Sequence, residues 1–200
     1  ISPKLTEHSN NITLNEKLFE RVKFVYDKRN DLNLTPEQLM LLTDIYEGMA
    51  KKGANLQGKD KEKYRKLSTE LSQLTLQFGH NVLKATNQFE MLLTDKDELA
   101  GLPQSALDAA AHLAKIKGKN GYLFDLSFPS YIAFMKYSTR RDLREKLYRA
   151  YNSRCMSGEF DNTIIMERIA QIRYEIAQLM GKENYAEYAL EFKMAKNSKN

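Results

Sequence analysis

The sequence has few of the residues that interrupt helices or cross-link chains. Its 200 residues include four prolines, nine glycines, one cysteine and no tryptophan. So few turn-forming residues cannot supply the regular turns of a β-sandwich or barrel. The single thiol, Cys155, excludes a disulfide within these residues. No apolar run approaches the roughly 18 residues that a membrane-spanning helix needs, so we predict no membrane partner.

Helix-forming residues are abundant instead, and 42% of the chain is hydrophobic, which is enough to bury a core. Residues 2–11 contain neither a basic stretch nor an apolar stretch of a signal peptide. The polar segment "KMAKNSKN" at the other end does not resemble a helix that completes a core. We therefore interpret both ends as cut points of a longer chain, and we expect a cytoplasmic protein, with the periplasm as the alternative.

Hydrophobic periodicity and capping residues predict about seven helices. The clearest start has Thr35 as N-cap, Pro36 at the first helical position and Gln38 completing a capping box. A long helix carries an apolar stripe typical of antiparallel helix pairs. The predicted helices run from Asn15 to about Arg29, from Thr35 to Gly53, through Tyr64 to Val82, from Pro103 to Gly118, from Thr139 to about Asn152, from Asp161 to Met180, and from Asn184 to about Ala195.

Two short segments have the period of two that is typical of strands. One contains Phe89, Met91 and Leu93, and the other runs from Phe124 to Phe128. We expect them to pair as a ribbon. The predicted fold class is mainly α: a multi-helix domain over residues 1–200 with long antiparallel helices and one small two-stranded β ribbon.

The stretch "LMGKENYAEY" joins the last two predicted helices. Five aliphatic residues spaced along the preceding helix predict one buried stripe, and Gly181 is placed to end that helix in a left-handed cap. We expect Tyr185, Tyr188 and Phe192 to fold back against this stripe. The five are Ile165, Ile169, Ile172, Ile176 and Leu179.

Catalytic and metal sites are not visible in the sequence. A helical zinc site needs two histidines one turn apart, most simply as HExxH, and His8, His80 and His112 have no such neighbour. Asp108 and His112 share a helix face, which favours an ordinary i,i+4 pair. Cys155 lies beside Arg154 without a nucleophile signature, so we interpret it as a structural thiol. The glycines are scattered, so no phosphate loop is predicted.

The net charge of +5 permits nucleic-acid binding, and "TRRDLREKLYR" places arginines beside tyrosine. Acidic residues, Asp142 and Glu145, interrupt that run, and mixed signs at helical spacing are typical of a solvated helix face. We therefore predict no nucleic-acid partner. The residues alone predict a helical domain with no catalytic, cofactor-binding or metal-ligating residue of its own.

Several segments of the sequence also resemble a known protein family. The segment "RYEIAQLMGKENYAEYALEFKMAKN" resembles the R-x-E-x-A-x-L-x-G-x-x-N-Y-A-x-Y segment, followed by K-M-A, of the thimet oligopeptidase family of zinc metallopeptidases. Upstream, "ELSQLTLQFGHNVLKATN", "DELAGLP", "RRDLREKLYRAYNSR" and "GEFDNT" are similar to family segments in the same order. The opening "HSNNITLNEKLFERVKFVYDKR" is similar to the bacterial peptidyl-dipeptidase branch rather than to oligopeptidase A. The matched residues are Arg173, Glu175, Ala177, Leu179, Gly181, Asn184, Tyr185, Ala186, Tyr188, Lys193, Met194 and Ala195.

The resemblance implies a function for the parent protein. In this family HExxH and a glutamate ligand lie in the C-terminal half of a longer chain, where zinc and a glutamate activate water. This chain would then be the helical N-terminal part, inactive alone, forming one wall of a channel for short peptides and partnered by the C-terminal catalytic half. Zinc would belong to the intact enzyme only. The alternatives are a stand-alone helical protein- or peptide-interaction module and, from the positive charge, a nucleic-acid binder.

Overall fold

The computed structural model describes residues 2–200, of which most are helical. Within that range the nine α-helices and two strands are α1 Ser2–Thr13, α2 Glu16–Asp27, α3 Pro36–Lys51, α4 Gly58–Gln88, β1 Met91–Leu93, α5 Gln104–Ile116, β2 Tyr122–Phe124, α6 Phe128–Tyr137, α7 Arg141–Asn152, α8 Thr163–Leu179 and α9 Tyr185–Leu190. Short 3-10 helices occupy Lys96–Leu99 and Gly158–Phe160. The predicted mainly α class is confirmed. None of the described helices has the length and hydropathy needed to cross a membrane.

The predicted helix starts follow from local hydrogen bonds. The Asn15 side chain accepts from the Leu18 amide, and Thr35 and Gln38 form the expected reciprocal capping box. Asn184 accepts from the Glu187 amide at the start of α9. The last helix ends at Leu190, earlier than the predicted Ala195.

The predicted β ribbon exists, but its second strand lies earlier in the chain than expected. Met91 pairs with Phe124 and Leu93 with Tyr122 in antiparallel register. Phe128, predicted at the end of that strand, is instead the first residue of α6. Pro129 in the first turn of α6 favours a helix start there, and this signal outweighs the short alternation of apolar residues.

Helix α1 was not predicted, because its contacts are polar. Thr6 donates to Ser72 across 2.8 Å, and Asn10 donates to Ser68 across 2.9 Å. These bonds attach α1 to α4 without an apolar stripe that a hydrophobic pattern would reveal. Leu14, directly after α1, contributes the apolar contact by entering the core.

The chain divides into two compact units. Unit 1 comprises the described residues up to Leu76 together with Glu167–Asn200, and unit 2 comprises Gln77–Met166. Ile172 and Ile176 of the predicted stripe are buried in the core of unit 1, and Tyr188 packs against them as expected, whereas Phe192 is 51% exposed. The core of unit 1 is formed by Leu14, Tyr64, Leu67, Ile172 and Ile176.

The core of unit 2 surrounds the β ribbon. Phe134 and Leu147 are fully buried there, and the Phe124 and Phe134 rings meet edge to face with centroids 4.8 Å apart. This core fixes α5, α6 and α7 around the two strands. Its buried residues are Met91, Leu93, Leu99, Leu102, Ala110, Phe124, Leu126, Phe134 and Leu147.

Candidate functional site

The histidines do not form a metal site. His8, His80 and His112 lie on three different helices and are exposed. Asp108 accepts a hydrogen bond from Gln104 across 2.8 Å. The partner of this carboxylate therefore lies one turn before it on the helix and is not His112. Across residues 2–200, no group of three or more His, Cys, Asp and Glu side chains comes close enough to hold a metal ion. The residues present therefore do not fit a zinc site.

Cys155 lies in the segment after α7, with its backbone in the left-handed region at φ 59°. Its side chain is buried, and burial raises the pKa of the thiol, which the nearby Arg154 charge only partly opposes. A raised pKa leaves little thiolate at neutral pH. The geometry favours a structural role over nucleophilic chemistry.

Two of the five cations in the basic run around α7 pair with carboxylates. Arg140 binds Asp142 with two hydrogen bonds of 3.0 and 2.7 Å, and Arg149 binds Glu145 one turn away at 2.8 Å. Arg144 donates to the carbonyl of Ser138. Pairs of this kind are typical of a solvated helix surface.

The family-like segment has a structural role in unit 1. Gly181 has φ 68°, and the Lys182 amide donates to the Ala177 carbonyl across 2.9 Å, so the turn ends α8 in a left-handed cap. Helix α9 then places the Tyr188 hydroxyl 3.0 Å from the Lys51 carbonyl, to which it donates. Burial raises the pKa of Tyr188. The segment therefore joins α9 to the end of α3.

An apolar groove lies within unit 2, between α5, β2 and α6. Its volume is about 440 Å³. Small side chains form much of its wall. The residues that define it include Ala106, Ala109, Ala110, Pro129, Ala133 and Tyr137.

A second apolar surface lies on unit 1, on α2 and α3. Leu41 and Met40 are 61% and 62% exposed, which is high for large apolar side chains at neighbouring positions. Concentrated exposure of this kind indicates a contact surface. We call it the α2–α3 surface, and it consists of Phe24, Val25, Leu39, Met40, Leu41 and Ile45.

Comparison with known proteins identifies the family that this chain resembles. Residues 134–200 match the profile of peptidase family M3. Oligopeptidase A of Salmonella typhimurium is 38% identical over 200 residues, which cover 98% of this chain and 29% of that protein. The chain is therefore similar to peptidase family M3 proteins over nearly its full length. The predicted resemblance to the thimet oligopeptidase family is thereby confirmed.

Other family M3 relatives refine the comparison. The organellar oligopeptidase A of Arabidopsis thaliana is 44% identical over 150 residues, covering 72% of this chain and 19% of that protein. Dipeptidyl carboxypeptidase of Escherichia coli is 33% identical over 197 residues, covering 98% of this chain and 29% of that protein. Both branches match, so the predicted resemblance to the family and to its peptidyl-dipeptidase branch is confirmed, and oligopeptidase A matches at the higher identity. The chain spans less than a third of the length of these curated relatives.

Proposed function

We propose that this chain is the non-catalytic N-terminal helical part, over residues 1–200, of a zinc-dependent peptidase that hydrolyses short peptides. The observation that carries the proposal is the match of 98% of the chain to only 29% of oligopeptidase A. In the intact protein, zinc and the catalytic residues would belong to a C-terminal half. We place the intact enzyme in the cytoplasm, with the periplasm as the alternative.

The exposed apolar surfaces support a role in which this chain packs against another part of the same protein. The α2–α3 surface of unit 1 and the apolar groove of unit 2 both leave large or contiguous apolar areas open. Surfaces of this kind usually lie in contacts. They favour a segment that packs against a catalytic half over a stand-alone helical module, which would need a largely polar surface.

The proposed role in catalysis is to shape access. One wall of a substrate channel would be formed by this helical part, so that short unstructured peptides enter and folded proteins do not. The greater identity to oligopeptidase A supports cleavage within short peptides, with release of C-terminal dipeptides as the alternative.

The test begins with the gene from which the chain derives. We expect HExxH downstream of the codon for Asn200, followed by a glutamate on a later helix. The full-length protein should cleave short peptides in a chelator-sensitive way, and the 200-residue chain alone should not. A reading frame without HExxH, or a full-length protein without chelator-sensitive cleavage, would contradict the proposal.

A further inference from the structure

A second cavity in unit 2 contains a fixed arginine. It has a volume of about 500 Å³ and lies between the last turns of α4, the end of α7 and the segment leading to α8. Its wall includes both apolar and polar side chains. The residues that matter here are Ala85, Phe89, Leu126, Arg154, Ser157 and Glu159.

The guanidinium of Arg154 is held in position by three contacts. Its Nε donates to the Tyr151 carbonyl across 2.8 Å, and its Nη1 donates to the Thr86 hydroxyl across 2.7 Å. The guanidinium carbon lies 3.8 Å from the centre of the Tyr151 ring, which itself stacks on Tyr131 at 4.1 Å. A cation fixed in this way loses little further entropy when it binds an anion.

Arg154 has no acidic partner in the described part of the chain. None of the ion pairs among residues 2–200 includes it, and its Nη2 group makes no hydrogen bond to those residues. No described side-chain nitrogen is both buried and unsatisfied, so Nη2 is accessible. Glu159 lines the cavity without coming within ion-pair distance of Arg154.

A second cation lies at the edge of the cavity. The Lys84 amino group is 5.7 Å from the centre of the Phe160 ring, and Lys84 directly precedes the lining residue Ala85 on α4. Lys84 also forms no ion pair with residues 2–200. Glu159 and Asp161 are the nearby carboxylates, and Asp161 accepts two hydrogen bonds from Thr163, so that carboxylate has a partner of its own.

The segment that carries Arg154 is itself anchored to α4. Asn162, only 2% exposed, accepts from the Asn81 side chain across 2.8 Å and donates to the Phe78 carbonyl across 3.2 Å. Its amide also donates to the Cys155 carbonyl across 2.8 Å. The cavity wall therefore has a defined shape before any ligand arrives.

We propose that Arg154 anchors a binding site for small organic carboxylates. The remaining N–H groups of a guanidinium form a planar fork, and a carboxylate presents two oxygens in matching geometry. The charges of Arg154 and Lys84 attract the anion, and the apolar side chains of the wall accommodate a short aliphatic substituent. This inference is independent of the proposed peptidase function, because it needs only residues of unit 2.

The test is a nuclear magnetic resonance titration of the 200-residue chain with N-acetylglycine at constant ionic strength and pH. From the strength of charge-assisted hydrogen bonds we expect a dissociation constant of roughly 10 mM. Amide shifts should concentrate at residues 84–89 and 153–160. The neutral analogue N-acetylglycinamide should cause no comparable shifts, since it lacks the carboxylate. Equal shifts with acid and amide, or acid shifts located elsewhere, would overturn the proposal.

Two variants test the role of the planar fork. Arg154→Lys keeps the charge but loses the fork, and we expect binding at least about fivefold weaker. Arg149→Lys is the matched control, because Arg149 is an exposed arginine near the end of α7, is not part of the cavity wall and pairs with Glu145. It should change binding by less than about twofold. If Arg154→Lys does not fold, as judged by circular dichroism, the comparison of acid and amide on the unaltered chain decides the question.

Inorganic phosphate separates a carboxylate site from a general cation patch. Phosphate should bind no more tightly than N-acetylglycine at equal ionic strength, because its tetrahedral oxygens match the single fork less well. Glu159→Gln should tighten N-acetylglycine binding about twofold by removing the nearby negative charge. Phosphate binding with no carboxylate binding would contradict the assignment.

Discussion

Arg168 is the centre of a charge network in unit 1. Its guanidinium binds both oxygens of Glu70 at 2.7 and 2.8 Å and reaches Glu175 at 3.3 Å, while Lys63 binds the other oxygen of Glu175 at 3.1 Å. The hydrogen bonds from Arg168 hold the pKa of the Glu70 carboxyl below its ordinary value. A lowered pKa in the folded state means that ionised Glu70 stabilises the fold.

The corresponding prediction concerns pH. At pH 7 the Glu70→Gln variant should unfold at a lower denaturant concentration than the parent chain. The difference should shrink as the pH falls below the ordinary carboxyl pKa of about 4.3 and through the lower folded value, because Glu70 is then protonated in both states. Urea unfolding at pH 7 and at pH 3 measures it.

Glu62→Gln is the control for this prediction, because Glu62 is an exposed carboxylate on the same helix outside the Arg168 network. Its effect should be small at both pH values. A Glu70→Gln difference that stays constant between pH 7 and pH 3 would disprove the electrostatic origin.

The sequence predicts residue roles well where the partner is local. The caps at Asn15, Thr35 and Asn184 each use a hydrogen bond that spans three residues, so spacing alone indicates them. No such local pattern in the sequence indicates the cavity that contains Arg154. Thr86 lies 68 residues before Arg154, and no pattern along the chain joins the two.

At the scale of elements, the β ribbon depends on Gly121, which precedes β2. Its φ is 122°, and a Cβ there would lie 2.6 Å from the Leu93 carbonyl oxygen. Gly121→Ala should therefore destabilise the chain by about 2–4 kcal/mol, through backbone strain and displacement of the partner strand. Urea unfolding at neutral pH gives the value.

Gly79→Ala is the matched control for that substitution. Gly79 lies inside α4 with no atom within 4 Å of the added methyl, so alanine should stabilise the helix by about 0.5–1 kcal/mol. The free energy of unfolding should therefore fall for Gly121→Ala and rise for Gly79→Ala. Equal effects would show that Gly121 has no special backbone role.

Asn162 joins the start of α8 to α4 in unit 2. Asn162→Ala removes two side-chain hydrogen bonds of a residue that is only 2% exposed, so we expect a loss of about 2–3 kcal/mol. Asn152→Ala, at an exposed residue that bonds only to the carbonyl one turn earlier, should cost less than about 1 kcal/mol. Denaturant unfolding compares them, and similar losses would contradict the anchoring role.

The helices that the sequence did not predict have a common physical cause. Helix α1 attaches through hydroxyl and amide groups, and α6 begins within a short apolar alternation that also suits a strand. Hydrophobic periodicity detects neither arrangement. Long apolar stripes, as on α4 and α8, gave the correct elements because burial dictates them.

For the whole molecule, the exposed apolar side chains predict association. The 200-residue chain should self-associate as its concentration rises, since the α2–α3 surface is uncovered. Replacing Leu41 and Ile45 together by glutamine should reduce this association without lowering stability, because both side chains are largely exposed at 61% and 44%. Sedimentation velocity over a range of concentrations measures it.

The control replaces Met194 by glutamine. Met194 is 99% exposed but lies outside the α2–α3 surface. This substitution should leave association unchanged. If the Leu41 and Ile45 variant associates as strongly as the parent chain, the α2–α3 surface is not the site of contact.

Sequence patterns indicate the mainly α class of the whole chain, but they do not indicate its two units. The Arg168–Glu70 pair of unit 1 joins residues 98 positions apart. Contacts of such separation depend on the path of the chain and leave no local periodicity.

The bonds from Asn162 to Phe78 and Asn81 also bring the two ends of unit 2 together. A segment whose ends are adjacent can be excised, transplanted or circularly permuted with little disturbance of its interior. Residues 77–166 thus have the adjacent ends that circular permutation requires. Joining the ends of this segment by a short linker and opening it in an exposed turn elsewhere would preserve its core.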